Sequence, residues 1–196
     1  LLLSAWTFDA KLSLSGDNAE FITLSRSLAS GQGLSSINLP EPQMATKFPP
    51  VFPLMLAPVA AFYQNSLSEG QSLGGPEFVT MKWLVVATFA IAAAFLFLLV
   101  RDLIDSTHAG VTTVIAVSNA LTVSFSHQIM SEVPYMMWSL LALWLLNRGL
   151  ERPEGRDNHW LWAGVAAMIV AYYTRSAGIC LITAVILFLA IQRDWR

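Results

Sequence analysis

The feature that most constrains the fold of this chain is an apolar run without charged residues at 83–100, WLVVATFAIAAAFLFLLV. Lys82 precedes the run, and Arg101 and Asp102 follow it. A bilayer core about 30 Å thick requires about 20 apolar residues in a helix, because lipid offers no hydrogen-bond partner to an open backbone. The run therefore predicts a membrane-spanning helix, and an all-α membrane protein is the expected fold class.

Other apolar segments extend this prediction to a multi-span helical bundle over 82–196. Its spans are expected at 83–100, 109–125, 133–146, 160–173 and 177–191. Residues 1–8 are interpreted as the end of a preceding span. The outer loop at 9–81 is expected to contain interfacial helices at about 18–30 and 48–63, since the second segment is short and rich in proline, which kinks a helix.

The composition excludes several classes of protein. Hydrophobic residues make up 55% of the 196 residues and charged residues only 12%, whereas soluble domains average about 25% charged residues. A net charge of −2 provides no basic surface for nucleic acid. The single cysteine, Cys180, excludes an intrachain disulfide and a cysteine-rich metal site.

The distribution of arginine predicts the orientation in the membrane, since short cytoplasmic loops are enriched in Lys and Arg. One set of predicted short loops and ends carries six arginines, and the opposite set carries only Arg175. The six are Arg101, Arg148, Arg152, Arg156, Arg193 and Arg196. We therefore expect this set inside and the 9–81 segment outside.

One acid, Asp17, precedes the amphipathic segment at 18–30, and a second, Glu20, lies at its start. Asp17 with Glu20 three residues later matches a capping box, which would give both acids a purely structural role. Alternatively, an acid at the start of an interfacial helix is well placed to accept a proton from a hydroxyl group. The sequence leaves both interpretations open for Asp17.

A second polar cluster lies between two predicted spans. Glu132 and Pro134 are typical of a helix start, so capping alone could explain Glu132. However, His127 and Glu132 together make this short outer turn more polar than a hairpin requires, and ionisable groups near membrane depth are functional candidates. A solvated interfacial residue is the simpler interpretation of His127.

Two basic residues complete the set of candidates. Arg175 interrupts an otherwise continuous apolar stretch, so its guanidinium must reach the interface, pair with an acid or bind an anion such as a lipid phosphate. Lys47 precedes Phe48 and two prolines, and its simpler role is anchoring to lipid headgroups. All these candidates are predicted to lie on one face of the membrane.

The order of these motifs resembles that of the polytopic GT-C glycosyltransferases, which include protein O-mannosyltransferases and lipid A aminoarabinose transferases. The resemblance rests on GDNAEF at 16–21, KFPPVFPL at 47–54, SEVP at 131–134 and TRSAG at 174–178. Two departures are visible: Phe48 separates Lys47 from the double proline, and Asn18 stands where some relatives have a second acid.

The resemblance implies roles for individual residues. Asp17 would activate the acceptor as general base, and Glu132 would be the acid of the second outer turn. Lys47 and Arg175 would lie near the phosphate of the lipid-linked donor, and Glu20 and His127 are further substrate-binding candidates. No metal ligand set is assigned, and a divalent cation is left open as a cofactor.

The expected function is therefore sugar transfer from a polyprenyl-phosphate donor to a hydroxyl of a lipid, glycan or protein acceptor. The expected location is a bacterial inner membrane, with membrane lipids as partners and the site facing the periplasm or exterior. One alternative is a transporter or flippase of lipid-linked intermediates, with binding sites near the membrane midplane. Another is an assembly subunit without chemistry, whose acids point to unrelated places.

Overall fold

The computed structural model describes residues 4, 6–11, 16–64, 75–151 and 159–194. The helices in these ranges confirm the all-α fold class, and their bounds are α1 Asn18–Ala29, α2 Val51–Tyr63, α3 Pro76–Leu103, α4 Ser106–Ser118, α5 Ala120–Ser126, α6 Glu132–Leu150, α7 His159–Thr174 and α8 Gly178–Asp194. Between α1 and α2, the two-residue strands β1 (Ser35–Ser36) and β2 (Gln43–Met44) pair antiparallel, with Ser35 opposite Met44.

One described helix, α3, is both long and apolar enough to cross a membrane. Helices α4 and α5 meet the same criterion only when they are taken together, and they are bent by 68° at their junction. The predicted segments 133–146 and 160–173 coincide with the central parts of α6 and α7. By length and composition, the described helices therefore include one or two candidate spans, and the five-span bundle stays a prediction.

The segment 109–125, expected to be a span, is not one continuous helix, because the chain breaks at Asn119. This residue has an extended backbone (φ −64°, ψ 127°), which ends α4. Its side-chain oxygen accepts hydrogen bonds from the backbone amides of Leu121 and Thr122 at 3.0 and 3.4 Å. Asn119 is thus the N-cap of α5, a role that its short polar side chain favours over a position inside a helix.

The larger hydrophobic core joins the segment before the bundle to the first long helix. Phe21 of α1 packs edge-to-face on Phe52 of α2, with 4.9 Å between the ring centroids. Met81 and Phe89 of α3 are buried in the same cluster, which also includes Ile129. The apolar face of α1 is therefore covered by protein, and α1 and α2 are held against the N-terminal half of α3.

A second core fixes α6 against α7. Ala142 and Leu145 of α6 pack with Ala167 and Met168 of α7. Gly164 of α7 lies directly against α6, as small residues at such interfaces allow helix backbones to approach closely.

The opposite end of α3 is joined to α6 by a polar network. The Asp102 carboxylate accepts hydrogen bonds from the Arg148 Nε at 2.8 Å and the Trp144 Nε1 at 3.0 Å. Arg101 also pairs with Asp102, at 2.9 Å. Two of the six arginines used for the orientation therefore meet at this end of the helices.

Some sequence predictions lie wholly or partly outside the described residues. Within the span end proposed at 1–8, the positions 1–3 and 5 are not described. Arg152, Arg156 and Arg196 of the orientation argument also lie outside the described part of the chain.

The close approach at Gly164 makes a specific prediction. A Cβ at this position would lie 2.8 Å from the Leu146 Cγ and 3.0 Å from its backbone nitrogen. We expect Gly164→Ala to destabilise the protein by about 1–3 kcal/mol, the usual cost of overpacking.

The matched control is Gly110→Ala on α4, where a Cβ would meet nothing within 4 Å. It should stabilise the protein by roughly 0.5–1 kcal/mol. The midpoint temperature of thermal unfolding in detergent should therefore shift in opposite directions for the two variants. Equal shifts would contradict the close packing of α7 against α6 at Gly164.

Candidate functional site

Asp17 lies at the N-terminus of α1, but its side chain makes no capping hydrogen bond. Its Oδ1 instead accepts a hydrogen bond from the Lys47 Nζ at 3.3 Å. Glu20 is exposed on the first turn of α1. The capping-box interpretation is therefore wrong for the Asp17 side chain.

The pair formed by Asp17 and Lys47 is open to solvent. The exposed fraction of the side chain is 43% for Asp17 and 73% for Lys47. Lys47 is also 4.5 Å from the centroid of the Phe48 ring. Exposed ion pairs are weak, with a median contribution of about 0–1 kcal/mol, so a charged ligand can separate these two groups at little cost.

Glu132 and Arg175 form the second ion pair of the region. The Arg175 Nη1 is 2.6 Å from the Glu132 Oε1 and donates a longer hydrogen bond, of 3.4 Å, to the Ser131 hydroxyl. Glu132 is the first residue of α6, and Arg175 directly follows α7. The pair therefore joins the adjacent ends of two packed helices.

Both partners of this pair keep unused hydrogen-bonding capacity. Among the described residues, the Arg175 Nε and Nη2 make no hydrogen bond, and 39% of the side chain is exposed. The Glu132 Oε2 is buried and has no partner there. A buried polar atom without a partner is costly, so this oxygen gains free energy when a polar group of a ligand donates to it.

One turn, residues 127–131, lies between the two ion pairs. The Asn18 Oδ1, next to Asp17, accepts a 2.7 Å hydrogen bond from the Ile129 amide of this turn. Gly16 has φ +72°, and a Cβ there would lie 3.2 Å from the Met130 Cε. The other end of the turn, at Ser131, contacts Arg175. The start of α1 and the end of α7 therefore both contact this short turn, the first at Ile129 and Met130 and the second at Ser131.

His127 begins this turn and is half-buried. Its Nδ1 has no hydrogen-bond partner among the described residues. Burial lowers the pKa of His127, the Lys82 ammonium lowers it further, and Asp9 has an opposing, smaller effect. The lowered pKa favours the neutral imidazole, which has one nitrogen that donates a hydrogen bond and one that accepts.

Two contacts that anchor this region were missed by the sequence analysis. Arg26 of α1 forms a two-point contact with the fully buried Glu77 carboxylate of α3, with Nε 3.0 Å from Oε1. The buried Lys82 ammonium donates to the backbone carbonyls of Asp9 and Lys11. Pro76 followed by Glu77 is a sequence pattern typical of a helix start. However, no local pattern identifies the partner of Glu77, which is 51 residues away.

The described residues contain no group of three or more His, Cys, Asp or Glu side chains that could hold a metal ion. A cavity of about 220 Å³ lies between α3, α4 and α6, and none of the predicted site residues lines it. The two ion pairs therefore lie at helix ends, whereas the cavity lies between the sides of α3, α4 and α6.

Comparison with known proteins gives one match. A family model described as dolichyl-phosphate-mannose-protein mannosyltransferase matches residues 50–196, which is most of the chain. The matched range contains His127, Glu132 and Arg175, whereas Asp17, Glu20 and Lys47 precede it. No curated protein and no solved structure matches the chain.

The environment of His127 predicts how stability depends on pH. A lowered folded-state pKa means that the unfolded chain binds a proton more readily, so stability falls as the pH drops through the unfolded value of about 6.5. His127→Gln should therefore reduce the loss of thermal stability between about pH 7 and pH 5. His108→Gln serves as the control, since this histidine of α4 is exposed and pairs with Asp105, the N-cap residue of the same helix. Identical pH profiles for the wild type and His127→Gln would contradict the assignment.

Proposed function

Because this chain belongs to the dolichyl-phosphate-mannose-protein mannosyltransferase family, it is a membrane glycosyltransferase, and we propose that it uses a polyprenyl-phosphate sugar as donor. The acceptor is a hydroxyl group, and the reaction occurs on the outer face of the membrane, which in a bacterium is the periplasmic face of the inner membrane. The observation that carries the proposal is that two acid–base pairs, Asp17 with Lys47 and Glu132 with Arg175, border one turn.

Arg175 binds the phosphate of the donor. Its Nη1 is held by Glu132, while Nε and Nη2 have no hydrogen bond among the described residues. The Nε and Nη2 edge of a guanidinium, with its N–H groups free, matches the geometry of phosphate oxygens. Because the negative charge on the phosphate grows as it leaves, a fixed cation stabilises the transition state more than the ground state.

Asp17 acts as the general base. It accepts the proton of the acceptor hydroxyl while the hydroxyl oxygen forms a bond to the anomeric carbon of the sugar. The bond between that carbon and the phosphate oxygen breaks, the polyprenyl phosphate leaves with the electron pair, and the anomeric configuration inverts. Lys47 supports this role, because its weak, exposed contact with Asp17 can be exchanged for a contact with the donor phosphate.

Glu132 orients Arg175 through Oε1 and binds a hydroxyl of the substrate through its unpartnered Oε2. His127, in the 127–131 turn that precedes Glu132, offers a second unpartnered atom, Nδ1, for a substrate hydroxyl. The exposed Glu20 lies one helical turn from Asp17 and contacts the acceptor.

The transporter alternative is favoured by one observation, the break between α4 and α5 at Asn119. Transporters often bind their substrates at such discontinuous helices. However, the acids and bases described above lie at helix ends and in turns, and Asn119 carries no charge. The clustering of ionisable groups therefore supports group transfer more than passage across the membrane.

The proposal is tested with the whole protein in membranes supplied with radiolabelled polyprenyl-phosphate sugars. The wild type should move label onto an acceptor, and Asp17→Asn should reduce transfer by roughly 10²–10⁴-fold, the range typical of general base catalysis. Glu41→Gln is the matched control, since this exposed acid lies, like Asp17, in the predicted outer loop at 9–81 and has no assigned role. Membrane insertion should be equal in all three proteins. Turnover by Asp17→Asn near the wild-type rate would remove Asp17 from the reaction.

A further inference from the structure

A pair of arginines lies at the end of the helices that is remote from the candidate site. Arg148 follows Glu132 by 16 residues in α6, which corresponds to about 24 Å along the helix axis. Its guanidinium and that of Arg101, near the end of α3, bind the same carboxylate, Asp102. The proposed reaction uses neither arginine, so this arrangement is open to a separate role.

The carboxylate lies deeper than the two cations that it joins. The exposed fraction of the side chain is 11% for Asp102, against 36% for Arg101 and 38% for Arg148. The Asp102 Oδ1 is 2.9 Å from the Arg101 Nη2, and the Asp102 Oδ2 is 2.8 Å from the Arg148 Nε. One carboxylate therefore fixes two guanidiniums next to each other, and both remain partly open to the surroundings.

Both guanidiniums keep N–H groups that no described residue engages. Arg101 uses Nε and Nη2 for Asp102, whereas Arg148 uses only Nε. The charge of Asp102 balances only one of the two cations. Glu151, another acid that acts on Arg148, is exposed and accepts a 3.0 Å hydrogen bond from Asn147, so its attraction for the arginine is weak. Positive charge and open donors therefore remain for an anion.

Apolar side chains adjoin this pair of cations. Leu103 and Ile104 directly follow Asp102, and they are 60% and 65% exposed. Transfer of such side chains from water to hydrocarbon is favourable. Trp144 donates a hydrogen bond to Asp102, and its ring centroid is 5.4 Å from the Arg148 Cζ. Because tryptophan is enriched at the boundary between membrane and water, this setting places the two arginines at the level of the lipid headgroups.

We infer that Arg101 and Arg148 bind the phosphate of an anionic phospholipid, in the leaflet opposite the proposed site of transfer. Guanidinium N–H groups match phosphate oxygens in geometry and in charge, and basic residues between membrane helices can hold anionic headgroups. The acyl chains of this lipid lie against Leu103 and Ile104. A phosphodiester supplies the negative charge that Asp102 does not, whereas a zwitterionic headgroup also brings a cation that the arginines repel.

The site is tested by titrating the whole protein in detergent with phosphatidylglycerol and counting bound lipids by native mass spectrometry. Arg101→Gln removes one cation and leaves the contact of Arg148 with Asp102, which joins α6 to α3. The matched control is Lys11→Gln. It removes the same charge from an exposed side chain, and the Lys11 backbone contacts Lys82 near the opposite end of α3.

Arg101→Gln should weaken the binding of phosphatidylglycerol about fivefold, because one arginine near a lipid surface contributes about 1 kcal/mol. Arg148→Gln, measured in case the first variant fails to fold, should show a loss of similar size, and Lys11→Gln should match the wild type. Phosphatidylcholine with the same acyl chains should bind more weakly, and equally to all four proteins. Equal affinity of the wild type and both arginine variants for phosphatidylglycerol, or an equal loss in Lys11→Gln, would overturn the inference.

A further measurement distinguishes a lipid phosphate from a soluble one. Phosphatidylglycerol should raise the midpoint temperature of thermal unfolding more for the wild type than for Arg101→Gln, since a ligand of the folded state stabilises that state by mass action. Inorganic phosphate should neither produce this shift nor displace the lipid. If inorganic phosphate does both, the arginines take a soluble anion and the inference is wrong. Sugar transfer is measured in none of these experiments, so their outcome is independent of the proposed function.

Discussion

The ion pair between Arg175 and Glu132 is the interaction on which the arrangement of this site depends. Both side chains extend from the ends of apolar helices, where an unpaired charge is costly, so each requires a partner at the same level. Their 2.6 Å contact joins the start of α6 to the end of α7. Only Nη1 of Arg175 is engaged with described residues, so the contact that satisfies the charge leaves Nε and Nη2 available for the phosphate contact proposed above.

The 127–131 turn connects the Glu132–Arg175 ion pair to the start of α1. Asn18 binds the amide of Ile129, and the adjacent Asp17 is thereby held near the turn without being used as a helix cap. The contact of Arg26 with buried Glu77 anchors the far end of α1 to α3. The buried contacts around α1 are therefore combined with an exposed, easily separated pair at Asp17 and Lys47, which suits the proton-accepting role proposed for Asp17.

The sequence predicted what depends on local pattern and missed what depends on distant contacts. Apolar runs located the helices at 83–100, 133–146 and 160–173. The free energy gained by removing a long apolar stretch from water outweighs the local preferences of its individual residues. The break at Asn119 was missed, since a single polar residue among several Ser and Thr residues gives no distinct signal. The partners of Asp17 and Glu77 are 30 and 51 residues away, and neither spacing nor periodicity encodes which distant charge each acid meets.

The most direct measurement is sugar transfer by a protein in which the second ion pair is reversed, Glu132→Arg combined with Arg175→Glu. The reversed pair can restore the contact between α6 and α7, so thermal stability should recover relative to either single substitution. It moves the guanidinium to α6 and places a carboxylate where we propose that the donor phosphate binds, so transfer from a polyprenyl-phosphate sugar should remain lost. Recovery of both stability and transfer would show that the pair only joins two helices, and it would contradict a phosphate-binding role for Arg175.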